Sequence, residues 1–145
     1  MLALGFGLTI AIAACGADSG GPVDPTSPDT PVGNYSIQTV NGKALPVALF
    51  DVSTPSLYRL EVTSGVLNLT ADGKYTVVTR TRQTITGNIS NFVDSTFGTW
   101  TRAGSQINLR NAEDTSAKST GSWVGLQLTF VMTDDSVTTT YVYKK

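Results

Sequence analysis

Gly65-Val66-Leu67-Asn68-Leu69-Thr70-Ala71-Asp72-Gly73-Lys74-Tyr75-Thr76-Val77 is the stretch that decides the fold. Leu67 and Leu69 alternate with Asn68 and Thr70, and Tyr75 and Val77 resume the alternation beyond Asp72-Gly73. A period of two on both sides of an Asp-Gly pair predicts two antiparallel strands joined by a tight turn. Asp and Gly accept the positive φ that such a turn demands, so the reversal costs little.

The same grammar runs outward in both directions. Upstream, Tyr35 and Ile37 share a face, Asn41-Gly42 marks a turn, and Tyr58, Leu60 and Val62 alternate with Arg59 and Glu61. Between them, Lys43 to Ser56 is the longest stretch without strand alternation. Its apolar run Leu45-Pro46-Val47-Ala48-Leu49-Phe50, closed off by Pro55, reads either as a short edge strand or as a loop folded over an opening. Downstream, Thr79, Thr81 and Ile85 continue the hairpin until Gly87-Asn88 breaks it, and a strand is expected from Phe92 to Thr101. Ile107 and Leu109 follow a turn at Ala103-Gly104-Ser105, and 111–119 is polar. Leu126, Leu128 and Phe130 line one later strand, and Val137, Thr139, Tyr141 and Tyr143 the last.

Eight or nine strands over residues 34–145, with no helical period, predict an all-β domain: a single small antiparallel up-and-down barrel. Consecutive hairpins favour the barrel over a sandwich, since closure leaves no exposed edge.

Composition excludes more than it names. Charged residues make up 14% and hydrophobic ones 40% of 145 residues, which suits one globular domain. A net charge of −1 offers no basic excess for phosphates, so no nucleic-acid partner is expected. There is one cysteine, Cys15, and no histidine. An intramolecular disulfide, the usual transition-metal clusters and Ser–His–Asp or Cys–His catalysis are therefore ruled out. No cofactor or metal is expected.

Residues 1–14, MLALGFGLTIAIAA, are apolar apart from Thr9 and too short to span a bilayer as a helix, which needs roughly 20 apolar residues. Ile12-Ala13-Ala14-Cys15 resembles the bacterial lipobox. The resemblance implies cleavage after Ala14 and acylation of Cys15, hence a membrane partner through that residue. A buried apolar segment with an incidental cysteine is the plain alternative. The basic residues usual near the start of such a signal are absent, which leaves open a start upstream of Met1. Gly16 follows the cysteine, where an Asp in enterobacterial lipoproteins favours inner-membrane retention. The resemblance thus implies a lipid-anchored protein of the cell envelope, at the outer membrane, on its periplasmic or surface face. Residues 15–33 carry Pro22, Pro25, Pro28 and Pro31 among Gly, Ser, Thr and Asp, and read as a disordered tether. At about 3.1 Å per residue it would reach roughly 50 Å.

Gly33-x-Tyr35, the Gly65-to-Tyr75 hairpin, Gly98-x-Trp100 before Ile107-x-Leu109, and the closing Tyr141-Val142-Tyr143-Lys144 resemble the lipocalin-like domains of bacterial lipoproteins. The opening has Tyr35 where lipocalins proper carry tryptophan. The resemblance spans residues 33–145 and implies the barrel more than an activity.

The carboxylates give no obvious pair. Asp72, Asp134 and Asp135 fall in predicted turns, Glu113 and Asp114 in a polar loop, and only Asp94 shares a face with aromatics, Phe92 and Trp100. A hydrolase using carboxylates is the third choice, and no enzyme is expected. Arg80 and Arg82 share an outer face, which by default is solvated, with a patch for acidic groups as the alternative. The aromatic residues at inward positions either fill an eight-stranded barrel or wall a cavity. The function expected is binding of a small apolar or amphipathic molecule, without catalysis, by Tyr35, Leu49, Phe50, Tyr58, Tyr75, Trp100 and Tyr141. Leu49 and Phe50 are expected to cover, as a loop, an opening lined by Tyr35, Tyr58 and Tyr141. A structural or interaction module of the envelope, its barrel filled by side chains, is the rival. Trp100 is expected to be the buried core tryptophan, and Trp123 the more dispensable one.

Overall fold

Leu69 stands opposite Tyr75, and Leu67 opposite Val77, in the hairpin of β4 (Tyr58–Leu69) and β5 (Lys74–Ile85). The turn closes by backbone bonds from Thr70 N to Lys74 O, 2.9 Å, and from Gly73 N to Thr70 O, 3.1 Å. Gly73 takes a φ of 78°, a value that a side chain would disfavour. The Thr70 hydroxyl donates to the Asp72 carboxylate, and Lys74 pairs with that carboxylate at 2.9 Å. This hairpin belongs to a computed structural model describing residues 30–53, 57–134 and 137–145. The signal segment, Cys15, the tether up to residue 29, Pro55 and Asp135 lie outside them.

The other strands are β1 (Gly33–Val40), β2 (Lys43–Ala44), β3 (Val47–Val52), β6 (Asn88–Ala103), β7 (Gln106–Asn111), β8 (Lys118–Val124), β9 (Gln127–Asp134) and β10 (Val137–Lys144). From β4 to β10 each strand pairs antiparallel with the next, and β1 joins β10 to β4. Eight strands thereby close an up-and-down barrel, the fold class expected from the alternation. The other two sit at the seam. Gly33 to Ser36 of β1 pair with Leu69 to Val66 of β4, while β2 pairs with Thr39 and Val40, and β3 with the first residues of β4.

The loop expected over the opening is therefore a strand. Val47 lies opposite Val62 and Val52 opposite Tyr58, with a bulge between Ala48 and Phe50. Once β1 parts from β4, the backbone of β4 from Tyr58 to Val62 needs a partner, and an apolar, β-branched run supplies it. Of the two readings of that run, the edge strand holds. β6 is also longer than expected: the turn sits on Thr86 and Gly87, both at positive φ, and Asn88 belongs to the strand.

The two ends of the barrel differ. The described amino terminus, the carboxyl terminus and the turns at 70–73, 104–105 and 125–126 gather at what we call the lower end. Tyr35, Leu67, Ile107 and Leu128 are wholly buried in the core and Phe130 is 1% exposed. At the upper end β6 meets β7 only from Gly98 onward, so β4, β5 and the first half of β6 rise above the neighbouring strands as a free wall.

The two tryptophans exchange their expected roles. Trp123 is 7% exposed and part of the core, whereas Trp100 is only partly buried against it. β8 carries Gly121 and Trp123 inward between β7 and β9, while Trp100 lies beside the lower hairpin turn and sends its indole N–H to Thr70 O at 3.0 Å.

Candidate functional site

Alternation gives every barrel strand an inward row, and the residues in those rows decide what the interior can hold. In the lower half large side chains meet and fill it. Tyr35 forms part of this floor, its hydroxyl donating to Pro31 O at 2.8 Å and its ring 5.5 Å from the Lys145 ammonium. Phe130 meets Tyr143 edge-on with ring centroids 6.3 Å apart.

Above the floor the inward rows become smaller and more polar, and a cavity of about 230 Å³ remains. Tyr75 and Thr79 of β5, Asn111 of β7, Ser119 of β8, and Tyr141 and Tyr143 of β10 face it, with Val77, Leu109 and Met132 between them. A second, wider cavity of about 590 Å³ lies at the upper mouth. Its walls are Leu49 and Phe50 of β3, Leu60 of β4, Met132 of β9, Val137, Thr139 and Tyr141 of β10, and Asn41 of the first turn. Met132 and Tyr141 line both, so the two spaces adjoin as a deep chamber and a vestibule. Among the described residues, no Lys, Arg, Asp or Glu lines either one. Asp94, two residues from Thr96 on the inward row of β6, is exposed and faces neither.

The polarity of the deep chamber comes from hydroxyls without partners. Those of Tyr75, Thr79, Ser119, Tyr141 and Tyr143 bond to no other described residue. Among the described residues, none of these hydroxyls is both sealed from solvent and unbonded. The hydroxyls are therefore open, and for Tyr75 and Tyr143, at 5% and 3% exposure, the open side is the chamber. Asn111 Oδ1 accepts from Glu113 N at 2.8 Å, which turns its carbonyl to the 112–117 loop. Burial raises the phenol pKa values of Tyr75, Tyr141 and Tyr143, so all three are protonated donors at neutral pH.

The vestibule is apolar and partly open to solvent. Phe50 is 56% exposed, its ring edge-on to Tyr58 at 6.4 Å, and Val137 is 62% exposed. Gln83 Nε2 donates to the Tyr58 hydroxyl at 3.0 Å, fixing that ring behind Phe50.

Outside this wall sits the main ionic cluster. Glu61, directly opposite Arg82, receives Arg82 Nε and Nη2 on one oxygen at 2.8 and 2.7 Å, and Arg59 Nη2 on the other at 2.8 Å. Arg59 also faces Asp51 at 3.6 Å. The two guanidinium groups leave Glu61 4% exposed, and chiefly the Arg82 hydrogen bonds hold its carboxyl below the usual glutamate range. Arg82 is thus engaged with a carboxylate, and the patch for acidic groups loses half of its expected charge. The cluster sits across β3, β4 and β5, where it pins the wall that carries Phe50.

Compared with protein-family models, curated proteins and solved structures, the chain matches none of them.

Of the residues expected to bind, Leu49, Phe50, Tyr75 and Tyr141 come together at the adjoining cavities, with Tyr58 backing Phe50. Tyr35 and Trp100 lie at the lower end and line neither. Sequence reasoning passed over Thr79, Asn111, Ser119, Met132 and Tyr143. Tyr143 was legible as inward from the spacing of the last strand. Asn111 and Ser119 were hidden because they bound a polar loop whose ends are strand residues facing inward. Among the described residues, no group of three His, Cys, Asp or Glu stands together to hold a metal ion.

Proposed function

We propose that the chain is a lipid-anchored envelope protein whose barrel binds a small amphipathic or apolar molecule through its upper end, without catalysis. The adjoining chamber and vestibule carry the reading: a barrel whose only task was structural would gain stability by filling that space. The resemblance of residues 12–15 to a lipobox supports the anchor.

Two experiments test it. Cys15→Ser should abolish lipid labelling and release the protein from membranes; a mature protein that starts at Met1 with a free thiol at Cys15 would overturn the anchor. Titration with the uncharged fluorophore N-phenyl-1-naphthylamine should saturate at one probe per chain and quench tyrosine or tryptophan emission. Phe50→Ser should weaken that binding more than it lowers the melting temperature. The packed lower half favours the second reading, an interaction module of the envelope, and absence of saturable probe binding would make it the better one.

A further inference from the structure

The chamber and the vestibule differ in a way that specifies the chemistry of what enters them. We propose that the deep chamber takes an uncharged, hydroxyl-bearing head, a sugar ring or glycerol unit, of an amphiphile whose apolar chain leaves through the vestibule. The inference rests on the reading of the barrel as a binder and adds to it the polarity, the charge and the orientation of the ligand.

Charge is excluded by the walls. An ion moved from water into a site without a counter-charge loses its hydration and gains no partner. Among the described residues, neither space has an ionic side chain to offer, and Glu61, Arg59 and Arg82 are turned outward and paired with one another. A carboxylate, phosphate or ammonium head is therefore selected against.

A plain hydrocarbon is excluded by the hydroxyls. Filling the chamber with alkyl groups would strip water from Tyr75, Thr79, Ser119, Tyr141 and Tyr143 and put nothing in its place. Each buried polar group left without a partner costs a substantial part of its hydration. A polyol answers them, because each of its hydroxyls can donate to one neighbour and accept from another. At ~30 Å³ per water, about 230 Å³ is the space of roughly seven or eight waters, enough for one such ring or unit.

Orientation follows from the vestibule. Leu49, Phe50, Leu60, Met132 and Val137 offer a more continuous apolar wall than the deep chamber, where Val77 and Leu109 lie between hydroxyls. The head goes in first and the chain lies against β3 and β10.

The test is calorimetric titration of the full chain carrying Cys15→Ser with octyl glucoside, 1-octanol, octanoate and octyltrimethylammonium, each below its micelle concentration. Octyl glucoside should bind at least tenfold tighter than the other three. Tyr143→Phe and Ser119→Ala should each reduce the glucoside-to-octanol ratio severalfold; the serine variant guards against a folding defect in the tyrosine one. Equal or tighter binding of octanoate or the ammonium, octanol binding as tight as the glucoside, or a ratio untouched by both variants would overturn the inference while leaving the binder reading intact. Binding of none of the four overturns both.

Discussion

The Phe130 ring packs against Gly121, its partner across the β8–β9 ladder, so closely that a Cβ on Gly121 would sit 2.6 Å from two ring carbons and 2.7 Å from Thr129 O. Phe130 is 1% exposed and cannot swing into solvent, and a backbone oxygen cannot give way cheaply. Gly121→Ala should lower stability by about 1–3 kcal/mol, read as a fall in melting temperature. In a Phe130→Leu background the same change should cost less, because the smaller side chain yields space. Additive losses in the double-mutant cycle would mean that the ring is not what Gly121 accommodates.

The tryptophans give a second contrast. Trp123→Ala should cost about 3–5 kcal/mol, and Trp100→Ala clearly less, since only Trp123 is enclosed by the core. Trp123→Phe should cost less than the alanine change, because it keeps most of the packing. Chemical denaturation of the three variants decides the order, and a larger loss at Trp100 would reverse it.

Stability should fall at both ends of the pH scale. Glu61 has its folded pKa lowered, so its stabilisation is present above the ordinary value of 4.5 and lost as pH drops through the lower folded value. Glu61→Gln should flatten the acid limb of a melting-temperature profile; an unchanged limb would remove the arginine pairing as its cause. At the other end, burial pushes the Tyr35 phenol up to about 12. Its contribution is complete below 10 and declines as pH rises through 12. Absorbance at the tyrosinate band should show the buried phenols, Tyr35 and Tyr143 foremost, ionising together with unfolding, and Tyr35→Phe should reduce the amplitude of that coupled step.

Above Gly98 the outer edge of β6 has no partner strand among the described residues. The backbone of Phe97 bonds towards the β7 side, accepting from Ala112 N at 2.9 Å, so by alternation Ile89, Asn91, Val93 and Ser95 turn their N–H and C=O groups to open space. Ile89 and Val93 are also 62% and 60% exposed, with no Lys or Pro nearby to guard the edge. Such edges template unwanted strand pairing. Val93→Lys should reduce concentration-dependent aggregation, measured by light scattering on warming, without lowering the melting temperature. Unaltered aggregation would place the fault elsewhere.

The fold was legible in the sequence because a closed antiparallel barrel is made of local decisions. Leu67, Leu69, Tyr75 and Val77 choose the strands, Asp72-Gly73 chooses the turn, and each hairpin brings its own neighbours together. The inward row of β10 was legible for the same reason. Alternation says which side chains share a face, and Val137, Thr139, Tyr141 and Tyr143 do.

What the tertiary structure alone decided is height and occupancy along the barrel axis. Tyr35, Trp100 and Tyr141 all read as inward aromatics, yet two lie at the lower end and one at the opening, because level depends on the stagger between strands far apart in the chain. The run Val47 to Val52 became a strand since the parting of β1 from β4 left backbone groups there to be paired, a need that no local window contains. The order of the tryptophans turned on the same kind of fact. β8 is enclosed between β7 and β9, whereas Trp100 sits where its hairpin meets the lower turn. Sequence alternation determines which face a residue takes; only closure of the barrel determines how much of the molecule lies over it.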